Sequence, residues 1–276
     1  WIAFLAAILW PGFIHADEPI SPTNQVRLFN GRDLTGFYSW LVDTRREDPR
    51  HVFTVTNGLI RISGEGLGYL STEKGYKDYR LVAEFKWGQR NYAWGDRIGK
   101  ARDSGIFLHS IGLDGNSHDG KGAFKAAIEC NIFQGAVGDL LLIRGTDGEG
   151  SPLFPRIVAE VAEQRDGDGW FTWRKDGRRQ LIERWGRLNW FRKDPNWRDV
   201  QDFRGSNDLE RMHGEWNRIE CLAEGEDIRV VLNGTTVNAA SSVWPGQGKI
   251  LLQCEGSEIF FRRLELYPRS DRPNTP

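Results

Sequence analysis

The stretch that most constrains the fold runs from Arg102 to Gly135 and predicts two β-strands joined by a polar, glycine-rich loop. In its second half the even positions are apolar, namely Phe124, Ala126, Ile128, Cys130 and Ile132. The odd positions include Lys125, Glu129 and Asn131. Because successive side chains of a strand point to opposite faces, this alternation indicates one buried face and one polar face.

In the first half of the stretch, Asp103, Gly105 and His109 stand at odd positions and so lie on the same face of the predicted strand. A glycine within a strand allows a ligand to approach the backbone closely. If the two strands pair, a histidine, two carboxylates and a lysine converge. An antiparallel sheet can also leave a face of this composition in water. The alternation alone is therefore compatible with a functional site and with an ordinary solvated surface.

The rest of the chain predicts an all-β fold. Asn57-Gly58 and Asn233-Gly234 are typical of tight hairpins. Short strands separated by glycine-rich turns, without a long amphipathic helix, indicate a jelly-roll β-sandwich. We expect a leader over 17–27, a single domain over 28–268 and a C-terminal tail over 269–276.

The segment from about 145 to 212 differs from its surroundings, because its charge density is higher and its apolar alternation is weaker. It contains five of the 12 tryptophans, namely Trp170, Trp173, Trp185, Trp190 and Trp197. We interpret it as a Trp-rich insertion in the sandwich. Its indole rings could line a carbohydrate cleft or fill a small core of the insertion itself, and the sequence leaves both open.

The first sixteen residues are apolar and end in Ile14-His15-Ala16, before the polar Asp17-Glu18. This pattern resembles a truncated secretory signal peptide, since the basic segment that normally precedes the apolar core is missing. A membrane-spanning helix would need about 20 apolar residues, which favours export over a membrane anchor. We therefore expect a secreted or periplasmic protein with no membrane association after the signal peptide is removed.

The charge balance and the cysteines exclude some classes of protein. Lys and Arg number 37 against 38 Asp and Glu, and no basic run is interleaved with aromatic residues, which argues against nucleic acid as a partner. Cys130, Cys221 and Cys254 all fall on apolar positions, so we expect buried thiols. One disulfide among the three remains possible. No cysteine or histidine spacing indicates a structural zinc site.

A jelly roll with a polar sheet face first suggests a conventional glycosidase. Such enzymes carry a Glu-x-Asp-x-x-Glu type of pattern on one strand, whereas this chain has Glu129, Asn131 and Gln134 at the three positions. A carboxamide binds hydroxyl groups, but it is neither a nucleophile nor a proton shuttle. The sequence motifs of serine hydrolases, phosphate-binding loops, dinucleotide-binding folds and zinc proteases are also absent.

Six segments, taken in order, resemble one known family. They are DSGIFLH, IECNIFQG, GEWNRIEC, the LNG hairpin, GKILLQCEG and EIFFRRLEL. Together they are similar to the DUF1080 family of 3-keto-disaccharide hydrolase domains, over about residues 28–266. The resemblance implies an all-β, concanavalin A-like jelly-roll β-sandwich, export, and a carbohydrate substrate oxidised to a ketone at C3. Because that ketone acidifies the hydrogen on C2, a base can remove it, the C1 oxygen can leave, and water can add to the enone.

Such chemistry needs a base, a proton donor and positive charge near the enolate oxygen. By hypothesis His109 is the base and Asp103 orients it or binds a metal. Glu129 is the acid or a metal ligand, and Lys125 is the cation. The residues predicted to contact the sugar are Asn131, Gln134, Gln253, Arg262 and Trp216. The sequence identifies no cofactor, although a divalent metal is compatible with these roles.

The chain departs from the family pattern at Asn131 and Gln134, and these positions bear on substrate choice and on any metal site. Two rival functions remain. One is a non-catalytic carbohydrate-binding module, because lectins share this fold and function does not follow from fold. The other is a conventional glycoside hydrolase, which would cleave unoxidised disaccharides.

Overall fold

A computed structural model describes residues 18–116 and 122–269 of the protein. The predicted signal peptide at 1–16 and most of the predicted tail lie outside the described residues. A short 3₁₀ helix spans Trp94–Asp96, and no helix within the described ranges is long and apolar enough to cross a membrane. The strands of these ranges are β1 Val26–Arg27, β2 Phe37–Leu41, β3 Phe53–Thr56, β4 Leu59–Ile62, β5 Leu67–Thr72, β6 Tyr79–Asn91, β7 Asp103–Ile111, β8 Ala126–Phe133, β9 Leu140–Ile143, β10 Gly145–Thr146, β11 Pro152–Leu153, β12 Arg156–Val161, β13 Phe171–Thr172, β14 Arg178–Glu183, β15 Arg187–Asn189, β16 Asn217–Glu224, β17 Asp227–Leu232, β18 Thr235–Trp244, β19 Lys249–Glu255 and β20 Ser257–Pro268.

Most of these strands belong to two large sheets that pack face to face. Within the described residues, one sheet has ten strands in the order β14-β12-β18-β17-β16-β6-β20-β4-β3, with β1 also paired to β20. The other has eight strands in the order β13-β15-β9-β8-β7-β19-β5-β2. Strands distant in sequence lie side by side, as the crossovers of a jelly roll require. The predicted all-β jelly-roll sandwich is confirmed.

The alternation of β7 and β8 decides which of their residues form the core. Ile106, Ile128 and Cys130 lie in the large hydrophobic cluster between the sheets. Cys130, Cys221 and Cys254 are buried free thiols, which confirms their expected burial. The single disulfide that the sequence left possible is therefore not formed. The opposite parity points away from this cluster. We call that side of the eight-stranded sheet the outer face.

The Trp-rich segment at about 145–212 is built into both sheets. It supplies β12 and β14 at one edge of the ten-stranded sheet, and β13 and β15 at one edge of the eight-stranded sheet. Trp190 is buried in the core between the sheets. Trp197 packs on Phe133 instead, with the ring centroids 4.9 Å apart. The segment therefore extends the outer face beyond β9 as well as contributing to the core.

Candidate active site

Three adjacent strands bring a polar cluster together on the outer face. β7 lies between β8 and β19, and Gly105 of β7 pairs with Asn131 of β8. The side chain of Gln253, from β19, approaches Gly105 from the other side. Cross-strand neighbours on one face lie within side-chain reach of each other. The sandwich thus places one glycine at the centre of the polar residues contributed by three strands.

Short hydrogen bonds connect the members of this cluster. Asn131 Nδ2 donates to Glu129 Oε1 at 2.7 Å and lies 3.5 Å from Asp103 Oδ1. Gln253 Nε2 donates to Glu255 Oε2 at 2.7 Å. Asn131 Oδ1 and Gln253 Oε1 are buried and have no hydrogen-bond partner among residues 18–116 and 122–269. Because buried polar atoms are normally paired, these two carbonyl oxygens are available to accept hydrogen bonds from the hydroxyl groups of a ligand.

Burial shifts the proton equilibria of the three carboxyl groups. Only 1% of Glu129 is exposed, and burial, with the nearby charge of Asp103, raises its pKa to about 8. Burial and the charge of Glu129 raise the pKa of Glu255 to about 7. Burial and the charge of Glu255 raise the pKa of Asp103 well above its usual range. The cluster therefore holds protonated acids near neutral pH beside one carboxyl that is close to half ionised.

Two arginines supply positive charge at the edge of the cluster. Arg97 Nη1 lies 3.8 Å from Asp103 Oδ2, and Arg187 Nε donates to Asp139 Oδ2 at 2.8 Å. Each guanidinium group lies 5.6 Å from the centre of the Phe133 ring. Both arginines lower the pKa of Asp103 through their charges, against the larger effect of burial. The site therefore has fixed cations of its own.

Glu255, Arg97 and Arg187 were not identified as site residues from the sequence. Glu255 has the same parity as Gln253 on β19, and that spacing was the available signal. Arg97 follows the 3₁₀ helix in the connection before β7, and Arg187 begins β15 in the Trp-rich segment. No local pattern links these two arginines to β8, because the link exists only through the pairing of strands distant in sequence.

Gly105 offers a direct test of the cluster. A Cβ atom at this position would lie 2.5 Å from Glu129 Oε1 and 3.1 Å from Gln253 Oε1. Glu129 Cγ would lie 3.0 Å away, so Gly105→Ala should displace the whole Glu129 side chain while the strand remains folded, since the close atoms belong to side chains and not to the backbone. We expect about a 10²-fold loss of kcat/KM, the typical cost of a misplacement of about 1 Å, with little change in the thermal unfolding midpoint. Unchanged kinetics in a folded Gly105→Ala variant would contradict this assignment.

His109 does not join the cluster, and its expected convergence with Asp103 is not formed. A β-bulge shifts the register between Leu108 and Ile111, and His109 adopts a positive φ of 55°. Its ring contacts Tyr79 edge-on with the centroids 5.7 Å apart, and its Nδ1 lies 2.9 Å from the carbonyl oxygen of Pro245. A bulge redirects the side chains that follow it. Burial also lowers the pKa of His109 to about 4.

We expect His109→Asn to keep kcat/KM within about twofold, because the imidazole lies away from the carboxyl cluster. Asparagine tolerates a positive φ better than most residues. The smaller side chain leaves a cavity, and we expect the free energy of unfolding to fall by about 1–3 kcal/mol. Steady-state kinetics and urea unfolding check the two effects separately. A loss of activity of about 100-fold or more in a stably folded variant would restore His109 as a base.

Lys125 also lies apart from Glu129. Its Nζ is 3.2 Å from Asp114 Oδ1, and the same oxygen accepts hydrogen bonds from the hydroxyls of Tyr69 and Tyr38 at 2.8 and 2.9 Å. Lys125 is thus engaged by a carboxylate outside the cluster, and the expected convergence with Glu129 is not formed. Arg97 and Arg187 are also paired with carboxylates, those of Asp199 and Asp139. Their charges nevertheless act on Asp103, so they are better placed than Lys125 to act as cations.

Gln134 directly follows the last residue of β8 and its side chain lies apart from the polar cluster. Its Oε1 accepts a hydrogen bond from the backbone N–H of Asp202 at 3.0 Å, and its Nε2 donates to Asp202 Oδ1 at 3.1 Å. Arg102 Nη1 also lies 3.3 Å from Gln134 Oε1. Gln134 therefore holds the Trp-rich segment against β8, in place of the sugar contact expected for it.

Arg262 and Trp216 lie on the ten-stranded sheet and not beside Glu129. The Arg262 guanidinium stacks 4.4 Å from the centre of the Trp216 ring, and Arg262 Nε donates to Glu84 Oε2 at 2.5 Å. Arg262 is exposed, so the pair forms a surface stack on the far side of the sandwich. Their predicted contact with the same sugar is not supported by this placement.

A divalent metal remains a prediction. Among residues 18–116 and 122–269, no group of three His, Cys, Asp or Glu side chains is arranged to hold a metal ion. Asp103, Glu129 and Glu255 interact through their charges, but amide groups intervene between them. The described residues therefore give no separate support to a metal role.

Comparisons with known proteins agree with the fold. The family model described as a 3-keto-alpha-glucoside-1,2-lyase-like domain matches residues 24–267. A Parabacteroides distasonis structure titled "putative glycosyl hydrolase" shares 16% identity at a TM-score of 0.50, covering 88% of this chain and 93% of that chain. A second structure with the same description and organism gives 15% identity, a TM-score of 0.46, and coverage of 88% and 98%. A carbohydrate-binding module from Bacillus subtilis shares 10% identity at a TM-score of 0.40, covering 84% of this chain and 95% of that chain. No curated protein matches the chain.

Proposed function

Because this chain belongs to the 3-keto-α-glucoside-1,2-lyase-like domain family, we propose that it cleaves the glycosidic bond of 3-keto-glycosides, including 3-keto-disaccharides. The family makes it a glycosidase-like protein that acts on carbohydrate. The oxidised substrate, the mechanism and the residue roles are our proposal. Export is part of the same proposal, on the basis of the apolar stretch at 1–16.

The observation that carries the proposal is the state of the buried carboxyl groups. A retaining glycosidase needs an ionised carboxylate as nucleophile, and an inverting one needs an ionised base beside a protonated acid with room for a water molecule between them. Here Asn131 separates Glu129 from Asp103, and burial raises the pKa of both carboxyls. This environment disfavours the permanently ionised nucleophile of a retaining glycosidase, whereas an inverting pair is distinguished from the proposed one only by the substrate test below. The same environment suits the transfer of protons to and from an uncharged substrate.

The first step is an elimination in which Glu255 and Glu129 have opposite roles. Glu255, with a pKa of about 7, takes the proton from C2. The electron pair forms the C1–C2 double bond as the C1–O bond breaks. Glu129, protonated below a pKa of about 8, gives its proton to the leaving oxygen. A base is most effective when its pKa lies near the working pH, which favours this assignment over His109.

The second step adds water to the enone and restores both carboxyl groups. Glu129, now ionised, takes a proton from water while the hydroxyl group bonds to C1, and Glu255 returns its proton to C2. Arg97 and Arg187 stabilise the negative charge that develops on the C3 oxygen. Asn131 Oδ1 and Gln253 Oε1, which have no partner in the part of the chain that the structure describes, accept hydrogen bonds from sugar hydroxyls. The sum of the two steps is hydrolysis without a glycosyl-enzyme.

The test is release of the aglycone from a 3-keto-glucoside and from its unoxidised parent, each with and without a chelator. We expect cleavage of the keto substrate alone, because only the ketone acidifies C2. Cleavage of the unoxidised parent would indicate a conventional glycoside hydrolase. Binding of both sugars without turnover would indicate a carbohydrate-binding module. Loss of activity with chelator, restored by added metal, would add a metal to the site.

A further inference from the structure

A cavity of about 360 Å³ lies in the Trp-rich segment, beside the edge of the eight-stranded sheet. Thr172 of β13 and Asn189 of β15 line it from the sheet, and residues 164–168 and 193–197 form its sides. We propose that this cavity binds the sugar that leaves as the aglycone when a 3-keto-disaccharide is cleaved. The proposal rests on the proposed function and deepens it, because it assigns the leaving sugar of a disaccharide to a defined cavity of this chain.

The cavity is connected to the candidate active site by a short series of polar contacts. The backbone N–H of Asn131 donates to the carbonyl oxygen of Asp139 at 2.9 Å. Asp139 Oδ2 accepts from Arg187 Nε at 2.8 Å and lies 3.9 Å from Lys193 Nζ. Lys193 lines the cavity. These contacts run from the polar cluster to the cavity wall through one buried residue, Asp139.

The separation between the two places suits a disaccharide. From Glu129 on β8 to Asn189 on β15 the sheet is crossed by way of β9. Neighbouring strands lie about 4.8 Å apart, which makes the crossing about 10 Å. In the proposed mechanism Glu255 on β19 faces C2 and Glu129 on β8 faces the leaving oxygen, so the leaving group points away from β19 and toward β15. A small aglycone such as a methyl group would not reach the cavity.

The lining of the cavity fits a sugar better than an apolar aglycone. Lys193 Nζ donates to Asn189 Oδ1 at 2.9 Å, and an ammonium group has three donors, so donors remain for hydroxyl groups. The Trp197 ring is fixed by a hydrogen bond from its Nε1 to the carbonyl oxygen of Gln134 at 3.1 Å. An indole ring supplies a broad apolar surface, on which the C–H face of a sugar can pack.

Two of the three acidic residues that line the cavity, Asp166 and Asp194, already accept hydrogen bonds from neighbouring groups. Asp166 Oδ1 accepts hydrogen bonds from the backbone N–H groups of Asp168 and Trp170 at 3.0 and 2.8 Å. Asp166 Oδ2 accepts one from Asn189 Nδ2 at 2.6 Å. Asp194 Oδ1 accepts one from the N–H of Asn196 at 2.8 Å. These carboxylates shape the walls of the cavity, which argues for an uncharged polyhydroxylated ligand over a cation.

Gly167 allows the cavity to be blocked without disturbing the core. It is exposed and lines the cavity, and its φ lies outside the left-handed region. A Cβ there would meet no atom of the described residues within 4 Å. Gly167→Tyr should therefore place a large side chain at the entrance. Gly148 is the matched control, because it is also exposed and open, has an ordinary φ and lies in a different loop.

The experiment compares both tyrosine variants with the wild type on a 3-keto-disaccharide and on a methyl 3-keto-glucoside. We expect Gly167→Tyr to lower kcat/KM for the disaccharide by about 10- to 100-fold, the effect of losing a few hydrogen bonds. The methyl glucoside should be cleaved at the wild-type rate by both variants, and Gly148→Tyr should match the wild type on both substrates. Equal losses on both substrates, or no loss on the disaccharide, would overturn the subsite.

A failure of the proposed function is distinguishable from a failure of the subsite. If the wild type cleaves neither keto substrate, the proposed function fails. The subsite is then judged by calorimetric titration with an unoxidised disaccharide. Binding to the wild type and to Gly148→Tyr, weakened about tenfold or more in Gly167→Tyr, supports it. Equal binding by all three proteins, or binding by none, overturns it.

Discussion

Glu129→Gln is expected to lower kcat/KM for a 3-keto-glycoside by about 10³-fold, within the range that general acid catalysis supplies. The amide cannot donate the proton that the leaving oxygen requires. It does preserve the shape of the side chain, and its carbonyl oxygen can still accept the hydrogen bond from Asn131 Nδ2. The wild-type carboxyl is already uncharged near neutral pH, because burial raises its pKa to about 8. The loss should therefore be catalytic, with the fold retained.

Glu210→Gln is the matched control for this experiment. Glu210 is another buried glutamate, and burial raises its pKa to about 7. It accepts hydrogen bonds from Trp87 Nε1 at 2.6 Å and from the N–H of Gly135 at 3.1 Å, outside the cluster. We expect Glu210→Gln to lose stability but to retain kcat/KM within about threefold, well below a catalytic loss. Equal kinetic losses in both variants would remove Glu129 from the mechanism.

The second large effect concerns stability against pH. In the unfolded chain the pKa of Glu129 lies near its ordinary value of 4.5, whereas in the folded protein burial raises it to about 8. Between these values the folded state binds more protons than the unfolded state, so the free energy of unfolding falls as pH rises. Each pKa unit corresponds to about 1.4 kcal/mol, so the shift from 4.5 to about 8 makes Glu129 alone contribute a fall on the order of 5 kcal/mol.

Urea unfolding at pH 5.5, 7 and 8.5 measures this fall directly. Glu255 and Glu210, whose pKa values burial raises to about 7, act in the same direction over a lower range of pH. Asp103, whose pKa burial raises well above its usual range, also acts in this direction. Glu129→Gln should make the dependence between pH 7 and 8.5 clearly shallower than in the wild type, because the amide does not ionise. The exposed Glu149, changed to Gln, is the control and should leave the slope unchanged. A wild type whose stability rises toward pH 8.5 would contradict the protonated state of Glu129.

The two effects have one physical origin. A carboxyl group that is costly to ionise in the folded protein is also a good proton donor to a leaving group, because it keeps its proton at the working pH. The same burial makes the site a source of instability at high pH. If the fall in stability is present and the loss of catalysis is absent, the acid cluster has another use than proton transfer.

The alternation of β8 already determined much of the candidate site. It set Ile128 and Cys130 against Glu129 and Asn131, and the period of two is a local property of a strand that needs no tertiary information. The same reasoning placed Gln253 on the polar parity of its own strand. The all-β sandwich followed from short strands and hairpin turns, which are also encoded locally.

Only the tertiary structure decided which polar residues meet. A one-residue bulge turns the His109 side chain to the opposite face of the sheet, and the local alternation of the sequence does not predict such a bulge. Arg187 reaches the cluster because β15 pairs with β9, and Arg262 is separated from it because β20 belongs to the other sheet. Parity along a strand is set by neighbouring residues, whereas proximity between strands depends on the pairing of distant segments. The sequence by itself therefore determined the faces of the strands, and the packing of the sheets determined the membership of the site.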